Sequence, residues 1–243
     1  MNKKIFWLSI VAVIASFAGG FLVANSLNKK ELDALRSENE NLKKTRPADE
    51  QSGEGFSLSD EEIKQKIAEA DQNPNNINFQ KNLGLALYKY APMKQNADLL
   101  GEVSRLMNRV YADNPNDYAA LVTLGNVNLD LGYFREKNEN FQKAREFYQK
   151  ALEQKPDDAD IRTDIGLTYF LSNPPEIETA TANFEKALQT NPKHERTLQA
   201  MIQMLVSLKK RDEAEKYIAR LREINPNNQI LSNLNSPLME SGK

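Results

Sequence analysis

The sequence predicts an all-α chain: a solenoid of helical hairpins preceded by one transmembrane helix and a short coiled coil. Three observations carry this reading. Residues 5–24 run for twenty positions without a charge. Residues 28–44 place Leu32, Leu35, Asn39 and Leu42 three, four and three apart, with neither glycine nor proline among them. From residue 58 onward, prolines recur between amphipathic stretches of helical period.

The apolar run, Ile5 to Ala24, follows Lys3 and Lys4. As a helix rising about 1.5 Å per residue it would span roughly 30 Å, the thickness of a bilayer core. A secretory signal has a shorter apolar region of about 7–15 residues. Ala24-Asn25-Ser26 still offers a small-x-small cleavage sequence, so anchoring is the expectation and cleavage its alternative. Trp7, the one tryptophan, lies near the start, where an indole suits the headgroup level. Ala12, Ser16, Gly20 and Ala24 recur every four residues as a stripe of small side chains, which lets transmembrane backbones approach. Residues 1–27 are therefore expected to form a transmembrane anchor.

Leu32, Leu35, Asn39 and Leu42 follow the a-d-a-d spacing of a coiled-coil seam. Glu31 and Glu38 fall at g, and Arg36 and Lys43 at the e positions five residues on, so parallel helices in register would meet with opposite charges. Residues 28–44 thus allow a parallel homodimer, with Asn39 facing Asn39, or a solvated juxtamembrane helix. Residues 45–57 hold Pro47, Gly53 and Gly55 among polar residues and read as a flexible linker. Ser59-Asp60-Glu61-Glu62 then offers a capping box that opens a helix. The helical-repeat domain is expected over 58–235, with 236–243 as a disordered tail.

Within that domain five segments close on proline: Asn73-Pro74, Asn114-Pro115, Lys155-Pro156, Asn191-Pro192 and Asn225-Pro226. The intervals are 41, 41, 36 and 34 residues. Proline fits such joints because it ends one helix and is welcome at the start of the next. Between them lie Leu121, Leu124-Gly125, then Ala144, Tyr148 and Ala151; Ile165-Gly166 and Tyr169, then Ala180, Phe184 and Ala187; and Leu198, Leu205, Ala214 and Ile218, with Ile202 where glycine is usual. The first unit has Leu83-Gly84 and Leu87, then Val103, Met107 and Val110. This pattern resembles the tetratricopeptide repeat (TPR), whose period is 34 residues. The resemblance implies about four helical hairpins, with small residues where the paired helices cross. The first two units each hold seven extra residues, which predicts longer hairpin arms around 90–101 and 132–142. Two extra residues in the third are assigned to a turn at Pro174 and Pro175.

Composition narrows the chemistry. With 32 basic and 34 acidic side chains the net charge is −2, which gives no basic footprint for nucleic acid. Cysteine is absent and His194 is the one histidine, so thiolate metal sites, disulfides and a cysteine nucleophile are excluded. No phosphate-cradling loop or nucleophile–base pair is visible. The expectation is a chain that is not an enzyme and that holds neither cofactor nor metal. His194, in an inter-repeat turn, is expected to have no special role.

The TPR resemblance implies a protein-binding groove lined by the first helix of each hairpin. Its residues would include Asn78, Lys81, Asn82 and Lys89; Thr123, Asn126 and Asp130; Asp160, Thr163, Leu167 and Phe170; and Gln199 and Gln203. Co-chaperones of this family grip a C-terminal carboxylate with basic and amide side chains. Here Lys81 fits one such position, but Leu85 stands where an asparagine is needed, and Asp160 and Asp164 stand where the family carries bases. A carboxylate ligand would be repelled, so that specialisation is not expected. The layout resembles bacterial inner-membrane TPR proteins, including those of cytochrome c biogenesis. It implies a membrane-tethered scaffold or assembly chaperone that binds a protein or peptide, with the repeats on the periplasmic side. Lys29, Lys30, Arg36, Lys43 and Lys44 after the span argue for the opposite orientation. The alternative function is a structural dimerisation or spacer protein acting through its transmembrane and coiled-coil helices.

The seam is directly testable, since the chain has no cysteine of its own. Cysteine introduced at Leu35 or Leu42 should cross-link to its own copy in membranes, whereas cysteine at Ser37 should not. Equal reactivity at all three positions without cross-linking would assign a monomeric helix.

Overall fold

In a computed structural model, the residues that can be described are 59–92 and 95–234. The transmembrane anchor, the coiled-coil seam, the linker and the C-terminal tail lie outside them. Ten helices follow in order: α1 (Asp60–Gln72), α2 (Ile77–Tyr90), α3 (Ala97–Asp113), α4 (Tyr118–Arg135), α5 (Asn138–Gln154), α6 (Ala159–Phe170), α7 (Ile177–Thr190), α8 (Glu195–Ser207), α9 (Arg211–Ile224) and α10 (Gln229–Leu234). There is no strand among the described residues. The chain divides into two compact units, the first ending at Glu102 and the second beginning at Val103.

In the first unit the capping box forms as the sequence predicts. Ser59 Oγ accepts the Glu62 N–H at 3.2 Å, and Glu62 Oε2 accepts the Ser59 N–H at 2.8 Å. Gln80, fully buried on α2, donates to the carbonyls of Ala70 and Asn73 at 2.7 and 3.0 Å and so ties α2 to the end of α1. The extra residues of this first repeat do not lengthen α2. They fall in the connection 91–96 and at the start of α3, because Pro92 cannot continue the helix. Asn96 then caps α3 by accepting the Leu99 N–H at 2.9 Å.

The second unit is built from three hairpins, α4–α5, α6–α7 and α8–α9, each packed along its length. Here the sequence expectation holds: the second repeat does have longer arms, α4 and α5 having 18 and 17 residues against 12 and 14 in α6 and α7. The two extra residues of the third repeat lie in the α6–α7 connection with Pro174 and Pro175.

All five predicted prolines occupy one kind of turn. In each, the residue before proline accepts the N–H of the residue three further on, at 3.1 Å for Asn73, 3.0 Å for Asn114, 3.2 Å for Lys155, 3.1 Å for Asn191 and 3.1 Å for Asn225. Proline sits at the second position of a four-residue β-turn, which its fixed φ favours. In three of them the side chain of the fourth residue also accepts the N–H three residues further on, at the start of the next helix. Asn76, Asp117 and Asp158 accept the N–H groups of Phe79, Ala120 and Ile161 at 3.0–3.1 Å.

Inside the hairpins, glycine and an aromatic ring share one volume. A Cβ on Gly125 would enter the ring of Tyr148, and one on Gly166 would lie 2.7 Å from Phe184 Cδ1 and 3.2 Å from the Ala180 carbonyl. Tyr148 and Phe184 are fully buried. In the last hairpin the corresponding positions carry Ile202 and Ile218, both buried, so two aliphatic side chains replace a bare backbone and a ring. Gly132 repeats the arrangement against Phe141 in the lengthened arms.

The glycine positions predict opposite outcomes for one substitution. Gly125→Ala and Gly166→Ala should each destabilise by about 1–3 kcal/mol, since overpacking against a buried ring outweighs the helix propensity gained. Gly101, exposed in α3 with open space where a Cβ would stand, should instead gain about 0.4–1 kcal/mol on change to Ala. Thermal unfolding of the three variants checks both signs.

Candidate protein-binding face

The first helices of the three hairpins in the second unit, α4, α6 and α8, lie side by side. Residues spaced four apart share a face of each helix, and the repeat intervals align Asn126 with Leu167 and Gln203, and Asp160 with Arg196. That shared face is crossed by a row of polar groups.

At its centre is Arg196 on α8, buried with 10% of its side chain exposed. Its guanidinium reaches back to α6, forking onto the Asp164 carboxylate and lying 3.3 Å from Asp160 Oδ1. Asp160 and Asp164 are one helical turn apart, so one arginine bridges both. His194 joins them, its Nε2 3.3 Å from Asp160 Oδ1 and its Nδ1 2.7 Å from Thr197 Oγ1. Thr197 Oγ1 lies 2.6 Å from Thr163 Oγ1, which donates to the Ala159 carbonyl at 2.7 Å. On the neighbouring helices, the Tyr148 hydroxyl donates to Asn126 Oδ1 at 2.8 Å. At the turn, the Tyr118 hydroxyl donates to the Asp158 carboxylate.

The environment shifts several of these groups. Burial pushes the Asp164 carboxyl up to about 6, while the Arg196 charge and its hydrogen bonds pull it down. The two carboxylates hold Arg196 in its charged form against the desolvation it suffers. Burial raises the Tyr148 phenol well above its ordinary value, with the Asp164 charge adding to the rise.

Placed on this geometry, the groove residues expected from the sequence fall into distinct groups. In the first unit Asn78 and Asn82 are exposed, and Lys81 and Lys89 are half-buried. In the second, Leu167, Phe170, Gln199 and Gln203 are half-buried, Leu167 packing against the core cluster around Phe141 and Tyr148. Thr123, Asn126, Asp130 and Thr163 are 0–5% exposed, so they do not line an open groove. The reason is packing against the second helix of the same hairpin in one case and against the next repeat's first helix in another. Asn126 is engaged by Tyr148 from below, and Thr163 is closed over by Thr197 of the next repeat. Asp160, also expected in the groove, is half-buried in the ion-pair network.

Sequence reasoning missed Arg196, Thr197 and the role of His194. A signal was present: Arg196 lies 36 residues after Asp160, one repeat interval, so the two occupy the same position on adjacent helices. Among the described residues, the Tyr133 hydroxyl on α4 and Gln203 Nε2 on α8 are buried without a hydrogen-bond partner. No cluster of His, Asp or Glu suited to a metal ion occurs among the described residues.

This arrangement defines a helical-hairpin repeat protein whose first helices carry a polar, partly apolar face. Sequence profiles of the tetratricopeptide repeat match residues 120–158 and 176–234. These two stretches of the second unit therefore carry tetratricopeptide repeats. A crystal structure of MamA protein superposes with a TM-score of 0.51 at 21% identity, covering 68% of this chain and 81% of that one. A second MamA crystal structure gives 0.51 at 19% identity over 70% and 97% of the two chains. At such identities the likeness concerns the fold. The human protein O-mannosyl-transferase TMTC3 is 28% identical over 158 residues, which are 65% of this chain but 16% of that protein. The chain therefore spans a small part of that relative, and the activity in its name belongs to the whole human protein.

Asp164 should leave a signature in stability. The folded chain holds its proton more tightly than the unfolded chain, in which an aspartate titrates near pH 3.9. The resulting contribution is fully present below about pH 4 and is lost as pH rises through about 6. Subtracting the melting curve of Asp164→Asn from that of the parent at each pH should reveal a difference that varies across this window and is flat above it. A difference that is flat throughout would place the Asp164 carboxyl at its ordinary value.

Proposed function

We propose that this chain is a non-enzymatic scaffold or assembly chaperone, tethered to a membrane by its N-terminal apolar segment, that binds a protein or peptide on the face formed by α4, α6 and α8. The observation that carries the reading is the composition of that face. Leu167 and Phe170 offer half-buried apolar surface between half-buried amides at Gln199 and Gln203. Apolar anchors flanked by hydrogen-bonding side chains suit an extended or helical peptide.

The carboxylates and the imidazole of the same face are committed to one another and to Arg196. They organise the joint between repeats, which supports a binding surface over a reaction centre. Tethering rests on the charge-free run Ile5–Ala24; among the described residues no helix is long and apolar enough to cross a membrane. Lys3 and Lys4 before the span favour repeats outside the cytoplasm, by the retention of short basic tails inside.

A photo-cross-linking side chain at Gln203 or Phe170 of the full-length chain should capture the same partner, and one at exposed Glu185 on α7 should not. Phe170→Ala should abolish capture from Gln203 while leaving thermal unfolding nearly unchanged. A loss of about 3–5 kcal/mol, as for a buried phenylalanine, would remove Phe170 from the binding face.

A further inference from the structure

We propose that the lengthened α4–α5 hairpin is a brace, whose tip clamps the α6–α7 turn and fixes the angle between these two hairpins. In a helical-repeat stack neighbouring hairpins touch along one packed seam. Rotation about that seam breaks few contacts, so a bond made away from it resists rotation with a long lever. The extra residues of α4 and α5 provide that reach. The Pro115 and Pro156 turns fix the opposite ends of the two helices, so the added length projects at the hairpin tip.

The tip is stiff. Its two-residue turn places Glu136 in the left-handed region at φ 52°, and the Lys137 N–H returns to the Gly132 carbonyl at 3.0 Å. Gly132 leaves room for the Phe141 ring, which is 2% exposed. Phe141 belongs to the cluster of Leu129, Ala144, Tyr148, Ile161 and Ile165, against which Tyr169 and Leu171 pack. The arms are thereby keyed to the end of α6.

The clamp itself is the Asn138 side chain at the first position of α5. Its Nδ2 donates to the Asn173 carbonyl at 2.8 Å, and its Oδ1 accepts the Asn173 N–H at 2.9 Å. One amide meets both backbone groups of one residue 35 positions away, which sets orientation as well as distance. Asn173 stands in a six-residue connection, 171–176, compared with three residues, 208–210, between α8 and α9. The insertions of the second and third repeats, which look independent in the sequence, therefore meet each other in space. Nearby, the Arg145 guanidinium lies 4.3 Å from the Tyr169 ring centroid and donates to Thr168 Oγ1 at 3.3 Å.

The chain lacks cysteine, so spin labels can be placed at will. Cysteines at Glu146 on α5 and Glu185 on α7, both exposed and away from the clamp, report the angle between the hairpins by pulsed EPR in the full-length chain. The parent should give one narrow distance distribution. Asn138→Ala should broaden it and speed exchange of the Asn173 amide up to about tenfold, the worth of one lost hydrogen bond. Asn138→Asp, which keeps the acceptor and loses the donor, should fall between. Faster exchange with an unchanged distribution would reduce the clamp to a local turn anchor and overturn the proposal. So would unchanged exchange, or equal broadening by Glu139→Ala at the exposed neighbouring position.

Discussion

Two helices of a hairpin can approach closely only where one of them carries no side chain, and the second unit is organised around that restriction. At Gly125 and Gly166 the missing Cβ is the space into which Tyr148 and Phe184 are inserted. Each ring is fully buried and belongs to the second helix of its hairpin, so the crossing fixes both the separation of the pair and its rotation. Apolar residues at helical spacing then have a defined direction in which to point. The remaining first-helix positions are left to face the neighbouring repeat or a ligand. In the last hairpin Ile202 and Ile218 stand at the corresponding positions, both buried, so a side chain on the first helix is answered there by a smaller one on the second.

Tyr148 links this packing to the polar face. Its ring fills the Gly125 crossing and its hydroxyl reaches Asn126, so a core residue orients a buried amide of the polar row. Arg196 performs the corresponding task between repeats. Burying a guanidinium costs several kcal/mol unless it is well paired, and here two carboxylates one turn apart share it. Such a pair contributes little net stability over an apolar substitute, yet it admits one register of α8 on α6. The polar row is therefore better understood as setting the alignment of the binding face than as strengthening the fold.

Much of this is legible in the sequence because it depends on local chemistry. The five prolines, the capping box at Ser59 and the glycine–aromatic crossings are each specified by residues within one repeat. The binding face is legible only in part. Periodicity puts Asn126, Asp130 and Thr163 off the main apolar stripe of their helices but does not show how far neighbouring side chains cover them. Thr163 disappears beneath Thr197, and nothing in its own repeat signals this. The role of His194 escapes for the same reason, since its partner Asp160 lies in the preceding repeat. Repeat length alone places the first insertion in a helix arm, whereas Pro92 ends α2 and moves it into the connection.

The recurring proline turn has a meaning for how such a chain can change over time. Because the same four-residue hydrogen-bonded turn closes every repeat, a stretch of gene bounded by two of them encodes a self-contained hairpin with ready-made ends. Duplication or loss at the Asn114-Pro115 and Lys155-Pro156 turns would rejoin equivalent backbone geometries. The Asn191-Pro192 turn is different. A hairpin exchanged there would arrive without Arg196 and leave Asp164 buried with no cation to answer it. Recombination is thus permitted by the turns and restricted by what crosses the joints: this charge between the third and fourth repeats, and the Asn138–Asn173 pair between the second and third.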